Sequence, residues 1–190
     1  ADQGIDSGAR KVLVTTDIDL ATDGLPSEIE VVARPSELAS DSVPMAPVLM
    51  HALNDQALAG ATIVLLQPTS PLRSDSDIRS GLDLYASGAF DLVLSATETD
   101  RSVLKFGVRD GARFEPLREA ELCFSNRQTL PPVWKPNGAV YVFGRDWFLK
   151  NGGFVTDRIG MIEMPLERSY DIDTDADFER TEAEFLKSRD

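Results

Sequence analysis

The chain has 190 residues, a composition ordinary for a globular protein and a formal net charge of −13 at pH 7. That length suits one domain with a sizeable core, and the acidity argues against a nucleic-acid partner, whose phosphates need a basic face. The single cysteine, Cys123, excludes a disulfide framework and a Cys-rich metal site, no apolar stretch approaches a membrane span, and a reducing cytoplasm is the natural setting.

In chain order, Lys11 to Asp17 reads as a strand with Val12, Leu13 and Val14 buried, and Ile29 to Ala33 as a second, with Arg34 and Pro35 at its exit. A helix is predicted from about Ala46, where Pro47 is tolerated in the first turn. Its apolar stripe is Val48, Leu49, Ala52, Leu53 and Ala57, and Gly60 ends it. Ser74 caps another helix, with Asp77 completing a capping box; Ile78, Leu82 and Tyr85 form its buried face, and Gly88 stops it. Asp91 to Thr97 is a buried strand. Residues 101–135 change character, with short runs around Asp110-Gly111 that signal a hairpin, and are predicted to form a protruding antiparallel arm. Ala139 to Phe143 returns to a buried strand, Arg145 to Lys150 to a short helix and Arg158 to Met164 to a last strand. Thr174 caps a final helix with Asp177, anchored by Phe178, Phe185 and Leu186. Strands alternating with helices predict one α/β domain over 1–190: a mostly parallel sheet with helices on both faces.

The stretch Thr62 to Arg73, T-I-V-L-L-Q-P-T-S-P-L-R, organises the rest. Ile63 to Leu66 fits a strand buried on both faces. Pro68 and Pro71 then forbid further pairing, which leaves a stiff polar loop where open α/β sheets bind ligands.

Several side chains are candidates for chemistry. Asp171 and Asp173, at i and i+2 in extended chain, point to one side. Two such carboxylates suit Mg²⁺, which is often held by one or two carboxylates plus substrate phosphates; a solvated acidic helix start is the competing reading. Asn137-Gly138 marks either a turn or a close backbone approach, and Gln67 is either a strand-end polar group or a ligand contact. Arg34, Arg73, Lys105 and Arg127 are the cations to weigh in so acidic a chain. His51, the only histidine, reads as structural.

Three of these stretches resemble the motifs of one family in the same order. L-L-Q-P-T-S-P-L-R (Leu65 to Arg73), P-N-G-A-V-Y-V (Pro136 to Val142) and S-Y-D-I-D-T-D-A-D-F (Ser169 to Phe178) look like signatures of the acylneuraminate cytidylyltransferases, the CMP-sialic acid synthetases. The resemblance runs from about Lys11 onward and implies a nucleotide-diphospho-sugar transferase-like fold with a dimerisation arm at 101–135. It implies activation of an acidic nine-carbon sugar with CTP in the presence of Mg²⁺, by a homodimer. By matching position, Asp171 and Asp173 would be the catalytic metal ligands and Arg34 the nucleotide contact. Gln67, Lys105, Arg127, Asn137, Tyr141 and Phe154 would contact the sugar, and Arg73 would fix the loop. Met45 and Val155 depart from common family residues, which leaves the preferred acyl group open among sialic, legionaminic and pseudaminic acids. The family's first strand and its Arg/Gly/Lys-rich triphosphate loop have no match here. The expectation is therefore an N-terminally incomplete chain, inactive alone, with a break in the sheet where that strand belongs. The competing class is a non-catalytic or truncated sugar-binding or dimerisation domain.

Overall fold

The computed structural model describes residues 2–20, 22 and 24–187. α1 (Asp2–Asp6) leads into β1 (Val12–Thr16), which pairs in parallel with β2 (Ile29–Ala33). Then come α2 (Met45–Ala52), β3 (Thr62–Leu65), α3 (Asp75–Ala86) and β4 (Leu92–Thr99). A hairpin of β5 (Gly107–Asp110) and β6 (Arg113–Pro116) precedes the long β7 (Val133–Gly144). α4 (Arg145–Asn151), β8 (Ile159–Glu163) and α5 (Asp175–Lys187) follow.

The larger sheet has the order β3-β7-β4-β8. β4 and β8 are parallel, but β7 runs antiparallel to both β3 and β4. β3, β4 and β8 run the same way, so the α/β sheet expected from the sequence, with helices on both faces, is present with β7 as its one reversed strand. The connection supplies the reason. β4 ends at Thr99, which pairs with Val133 at the start of β7. The arm leaves and returns at the same end of the sheet, and a strand returning there runs back along its neighbour without a crossover. Among the described residues β1 pairs only with β2, and β3 only with β7, so the two form separate sheets.

Alternation along β7 builds two cores. Val140 and Val142 face α3, where Ile78, at 1% exposure, packs with Val93, Ile162 and Met164. Gly81 weakens α3 as a helix by about 1 kcal/mol. A Cβ there would lie 3.1 Å from Val142, so its lack of a side chain is what lets α3 sit close. On the other face Phe143 and Leu92 are covered by Leu49 and Leu53, at the C-terminal end of α2, and by Phe148 of α4.

Both predicted capping boxes form. The Ser74 N–H donates to Asp77 at 2.7 Å, and the Asp177 N–H donates to Thr174 Oγ1 at 3.3 Å. Two expectations are corrected. α2 stops at Ala52, because Asp55 accepts from the Ala57 N–H at 2.9 Å and starts a separate 3₁₀ turn that leaves Ala57 exposed. α5 does not bury the large apolar residues expected to anchor it: Phe178 and Leu186 are 55% and 58% exposed, and Phe185 is 46% exposed. Its buried residue is Thr181, small enough for close approach.

Candidate active site

The site grows out of an irregularity in β7. From the Leu94–Tyr141 pair to the Ala96–Pro136 pair, β4 advances by two residues while β7 covers five. The excess bulges out of the sheet, as strands do beside functional sites. Pro136 is tolerated because a bulged strand does not need its N–H, and Gly138 takes φ +77°, which a side chain would disfavour.

Ser95 of β4 fills the gap. Its hydroxyl donates to Asn137 Oδ1 at 2.6 Å and accepts from the Val140 N–H at 2.8 Å. Asn137 is 6% exposed. Its Oδ1 also accepts from the Ala139 N–H at 3.2 Å, and its amide donates to Ser169 Oγ at 2.8 Å and Met164 Sδ at 3.4 Å. Buried Ser70 donates to the Asn137 carbonyl at 3.0 Å. One carboxamide thus joins β4, β7 and the segment after β8, with the loop after β3 bonded to its backbone.

That loop is held by Arg73, whose guanidinium donates to the carbonyls of Gln67 at 2.8 Å and Ser70 at 2.6 Å, the loop-fixing role expected of it. The Ile172 N–H donates to the Thr69 carbonyl at 2.9 Å and brings the Asp171 segment alongside.

Between these elements lies a cavity of about 300 Å³ lined by Gln67, Thr97, Lys135, Asn137, Tyr141 and Asp171, among others. Burial, and then the negative charge of Asp171, push the Tyr141 phenol up, so its hydroxyl stays protonated and able to donate. Phe154 does not line the cavity. It stacks behind Tyr141 with ring centroids 5.9 Å apart and meets Phe143 and Phe148 edge-on at 5.0 and 4.9 Å.

Of the residues singled out from sequence, Gln67, Asn137, Tyr141 and Asp171 come together here. Asp173 is exposed two residues further on and outside the cavity wall. Lys105 donates to the Ser125 carbonyl within the arm. Arg127 pairs with Asp100 at 3.2 Å and lines an adjoining open hollow of about 710 Å³, which shares Thr99 and Leu166 with the cavity. Arg34 folds back to donate to the Thr15 carbonyl at 2.8 Å and borders neither space.

Among the described residues no cluster of three or more His, Cys, Asp or Glu side chains suits a metal. A site of one or two carboxylates completed by substrate phosphates fits better, since Asp171 borders the cavity and Asp173 follows it on the same exposed segment.

Sequence reading placed Ser70 in the polar loop at the site wall but missed Ser95 and Lys135, and gave Ser169 no role of its own. Ser95 carried a signal, as the polar interruption of the buried run D-L-V-L-S-A-T. Lys135 carried a weaker one, directly before P-N-G.

The bulge also makes a prediction. A Cβ on Gly138 would lie 2.6 Å from Gln67 Oε1 and 3.0 Å from Ser70 Oγ. Gly138→Ala is expected to cost about 1–2 kcal/mol through the left-handed backbone alone, and to displace Gln67. Thermal unfolding should show a fall of roughly 2–8 °C; an unchanged midpoint would contradict the geometry.

The comparisons with known proteins come from sequence and from fold. No family model matches the chain. It is 32% identical over 182 residues to the N-acylneuraminate cytidylyltransferase of Streptococcus agalactiae serotype V, covering 93% of this chain and 44% of that protein. A shorter stretch of 66 residues, 35% of this chain and 28% of the relative, is 30% identical to the CMP-N,N'-diacetyllegionaminic acid synthase of Campylobacter jejuni. In fold, the 4-diphosphocytidyl-2C-methyl-D-erythritol synthase of Anaerococcus prevotii superposes with a TM-score of 0.67 at 12% identity, covering 98% of this chain and 83% of that one. A CMP:2-keto-3-deoxy-manno-octonic acid synthetase solved with CTP gives 0.64 at 14% identity, covering 98% and 86%. The architecture is therefore the one shared with these two solved structures, and the chain spans less than half the length of the Streptococcus agalactiae relative.

Proposed function

From the premise that this chain is a homologue of the N-acylneuraminate cytidylyltransferases, we propose that the protein activates an acidic nine-carbon sugar with CTP. The anomeric hydroxyl of the sugar attacks the α-phosphate. A sugar O–P bond forms, the P–O bond to the β-phosphate breaks, the hydroxyl proton is lost and pyrophosphate leaves. The observation that carries this reading is the shared cavity, where Gln67, Lys135, Asn137, Tyr141 and Asp171 meet at the end of the sheet.

Each residue has work that suits its surroundings. The Gln67 amide and the Tyr141 hydroxyl offer hydrogen bonds to a polyhydroxylated ring. Lys135, exposed at the wall, offers a cation to the sugar carboxylate. Asn137 already spends its carboxamide on the protein, so its role is to hold the bulge that shapes the floor. Phe154 supports Tyr141 from behind, and Arg73 keeps the loop rigid. Positioning of this kind is most of what a phosphoryl transfer asks of a protein. Asp171 and Asp173 would hold Mg²⁺, which polarises the phosphate and stabilises developing charge when bound. Arg34 would reach CTP only by leaving Thr15.

The test is pyrophosphate release by the complete gene product with CTP, Mg²⁺ and a panel of sialic, legionaminic, pseudaminic and octulosonic acids. Release with one nine-carbon acid is the expected result. No release with any of them, alongside sugar binding without CTP binding, would favour a sugar-binding domain. The Campylobacter jejuni relative gives legionaminic acid a specific place in that panel.

A homodimer through the arm belongs to the same proposal. Phe106, Val108, Phe114, Leu117 and Phe124 are 51–89% exposed there, more apolar surface than an isolated hairpin sustains. At micromolar concentration the protein is expected to sediment as a dimer. Phe114→Ser with Phe124→Ser should weaken the association at least about tenfold, the scale of losing a buried aromatic anchor. A wild-type monomer would remove this part of the reading.

A further inference from the structure

The segment that carries Asp171 hangs on three fastenings. Two are described above: Ser169 Oγ accepts from Asn137, and the Ile172 N–H donates to Thr69. The third is an ion pair. Arg168, the last residue of a 3₁₀ turn at Leu166–Arg168, reaches Asp77 with two nitrogens: Nη1 meets Oδ2, and Nη2 donates to Oδ1 at 3.1 Å. Nη1 also lies 3.3 Å from Ser74 Oγ, and the Ser74 N–H and hydroxyl both donate to Asp77 at 2.7 Å.

The setting makes this more than a surface pair. Asp77 is 6% exposed and Arg168 about one-third, so solvent screens the contact little. A two-pronged Arg–carboxylate contact fixes direction as well as distance, which one ammonium does not. Burial alone would raise the Asp77 carboxyl, yet the bonds from Arg168 and Ser74 bring it below the usual range, so it stays charged at neutral pH. One end of the clasp is the first turn of α3, packed on the sheet through Ile78. The other end is three residues before Asp171.

We infer that Arg168 and Asp77 form a positioning clasp that sets the Asp171–Asp173 segment against the loop after β3. This rests on the cytidylyltransferase reading for its catalytic consequence, though not for its structural one. Arg168 touches no cavity-lining carboxylate and acts through the segment. Neither residue belongs to the motif pairing that pointed to the family: Arg168 directly precedes S-Y-D-I-D and Asp77 lies beyond P-L-R.

The experiment has two readouts on the complete gene product. In Arg168→Met, amide hydrogen exchange at Ile172 is expected to accelerate at least tenfold. The Val140 amide, bonded to Ser95 in the core, serves as the reference and should change less than twofold. In the same variant the Mg²⁺ concentration for half-maximal pyrophosphate release should rise about tenfold, with the KM for the sugar within twofold. Arg168→Lys should recover part of both effects, and it is read the same way if Arg168→Met does not fold. Unchanged exchange at Ile172, or equal acceleration at Ile172 and Val140, overturns the clasp. Faster Ile172 exchange with an unshifted Mg²⁺ requirement overturns its catalytic role. A wild type that releases no pyrophosphate overturns the functional reading instead, and the exchange result alone then decides the clasp.

Discussion

Asp171→Asn in the complete gene product is expected to lower Mg²⁺-dependent CMP transfer by about 10²–10³-fold, with little change in the thermal midpoint. The size follows from the several kcal/mol that a bound cation contributes at a reacting phosphate, at about 1.4 kcal/mol per tenfold in rate. Asparagine keeps the shape and removes the charge that a hard cation needs. The side chain is exposed on the cavity wall and outside both cores, so packing is untouched and stability should move by less than about 0.5 kcal/mol. Asp173→Asn should act in the same direction and less strongly, because Asp173 lies outside the cavity lining. Steady-state rates across a Mg²⁺ titration provide the measurement. Near-normal turnover of both variants at limiting Mg²⁺ would remove the metal assignment.

Asn137→Ala should be the most damaging change to stability at the site. The carboxamide accepts from Ser95 and the Ala139 N–H and donates to Ser169. Ala139 is 0% exposed, so its N–H would lose a partner where water does not reach. Ser95 would keep only its contacts with Val140. Buried groups left unpaired cost about 1–3 kcal/mol each, which puts the total near 2–4 kcal/mol. For a chain of this size that is a fall of roughly 4–16 °C in the melting midpoint. Sugar affinity should fall as well, since the bulge that carries Gly138 beneath Gln67 loses its tie. Asn137→Asp tests the same point with the shape retained: a carboxylate still accepts from Ser95 and Ala139 but does not donate to Ser169, and it brings a charge into a buried site. Differential scanning calorimetry of both variants checks this. A midpoint within about 2 °C of wild type for Asn137→Ala would contradict the bonding described here.

What the sequence determined by itself was local. The apolar runs at Ile63 to Leu65 and Ala139 to Phe143 are strands because short runs rich in β-branched residues favour extended backbone within a few residues. Ser74 with Asp77 and Thr174 with Asp177 cap helices because the carboxylate three residues on reaches back to the N–H of the capping residue, whose hydroxyl reaches forward to the N–H of that acid. The motifs that contain Gln67, Asn137, Tyr141 and Asp171 pointed to residues that do share one cavity. Only the tertiary structure decided the rest. The direction of β7 depends on where the arm returns to the sheet, and its bulge depends on fitting five residues against two of β4. Arg34 and Lys105 look from sequence like free cations, yet backbone carbonyls of Thr15 and Ser125 occupy them. Phe178 and Leu186 carry an apolar helical spacing but remain exposed, because Thr181 is where α5 meets the domain. Arg168 and Asp77 are 91 residues apart, and their pairing exists only once α3 and the segment after β8 lie side by side. Contacts between residues distant in the chain are set by packing and strand order, and no local pattern encodes either.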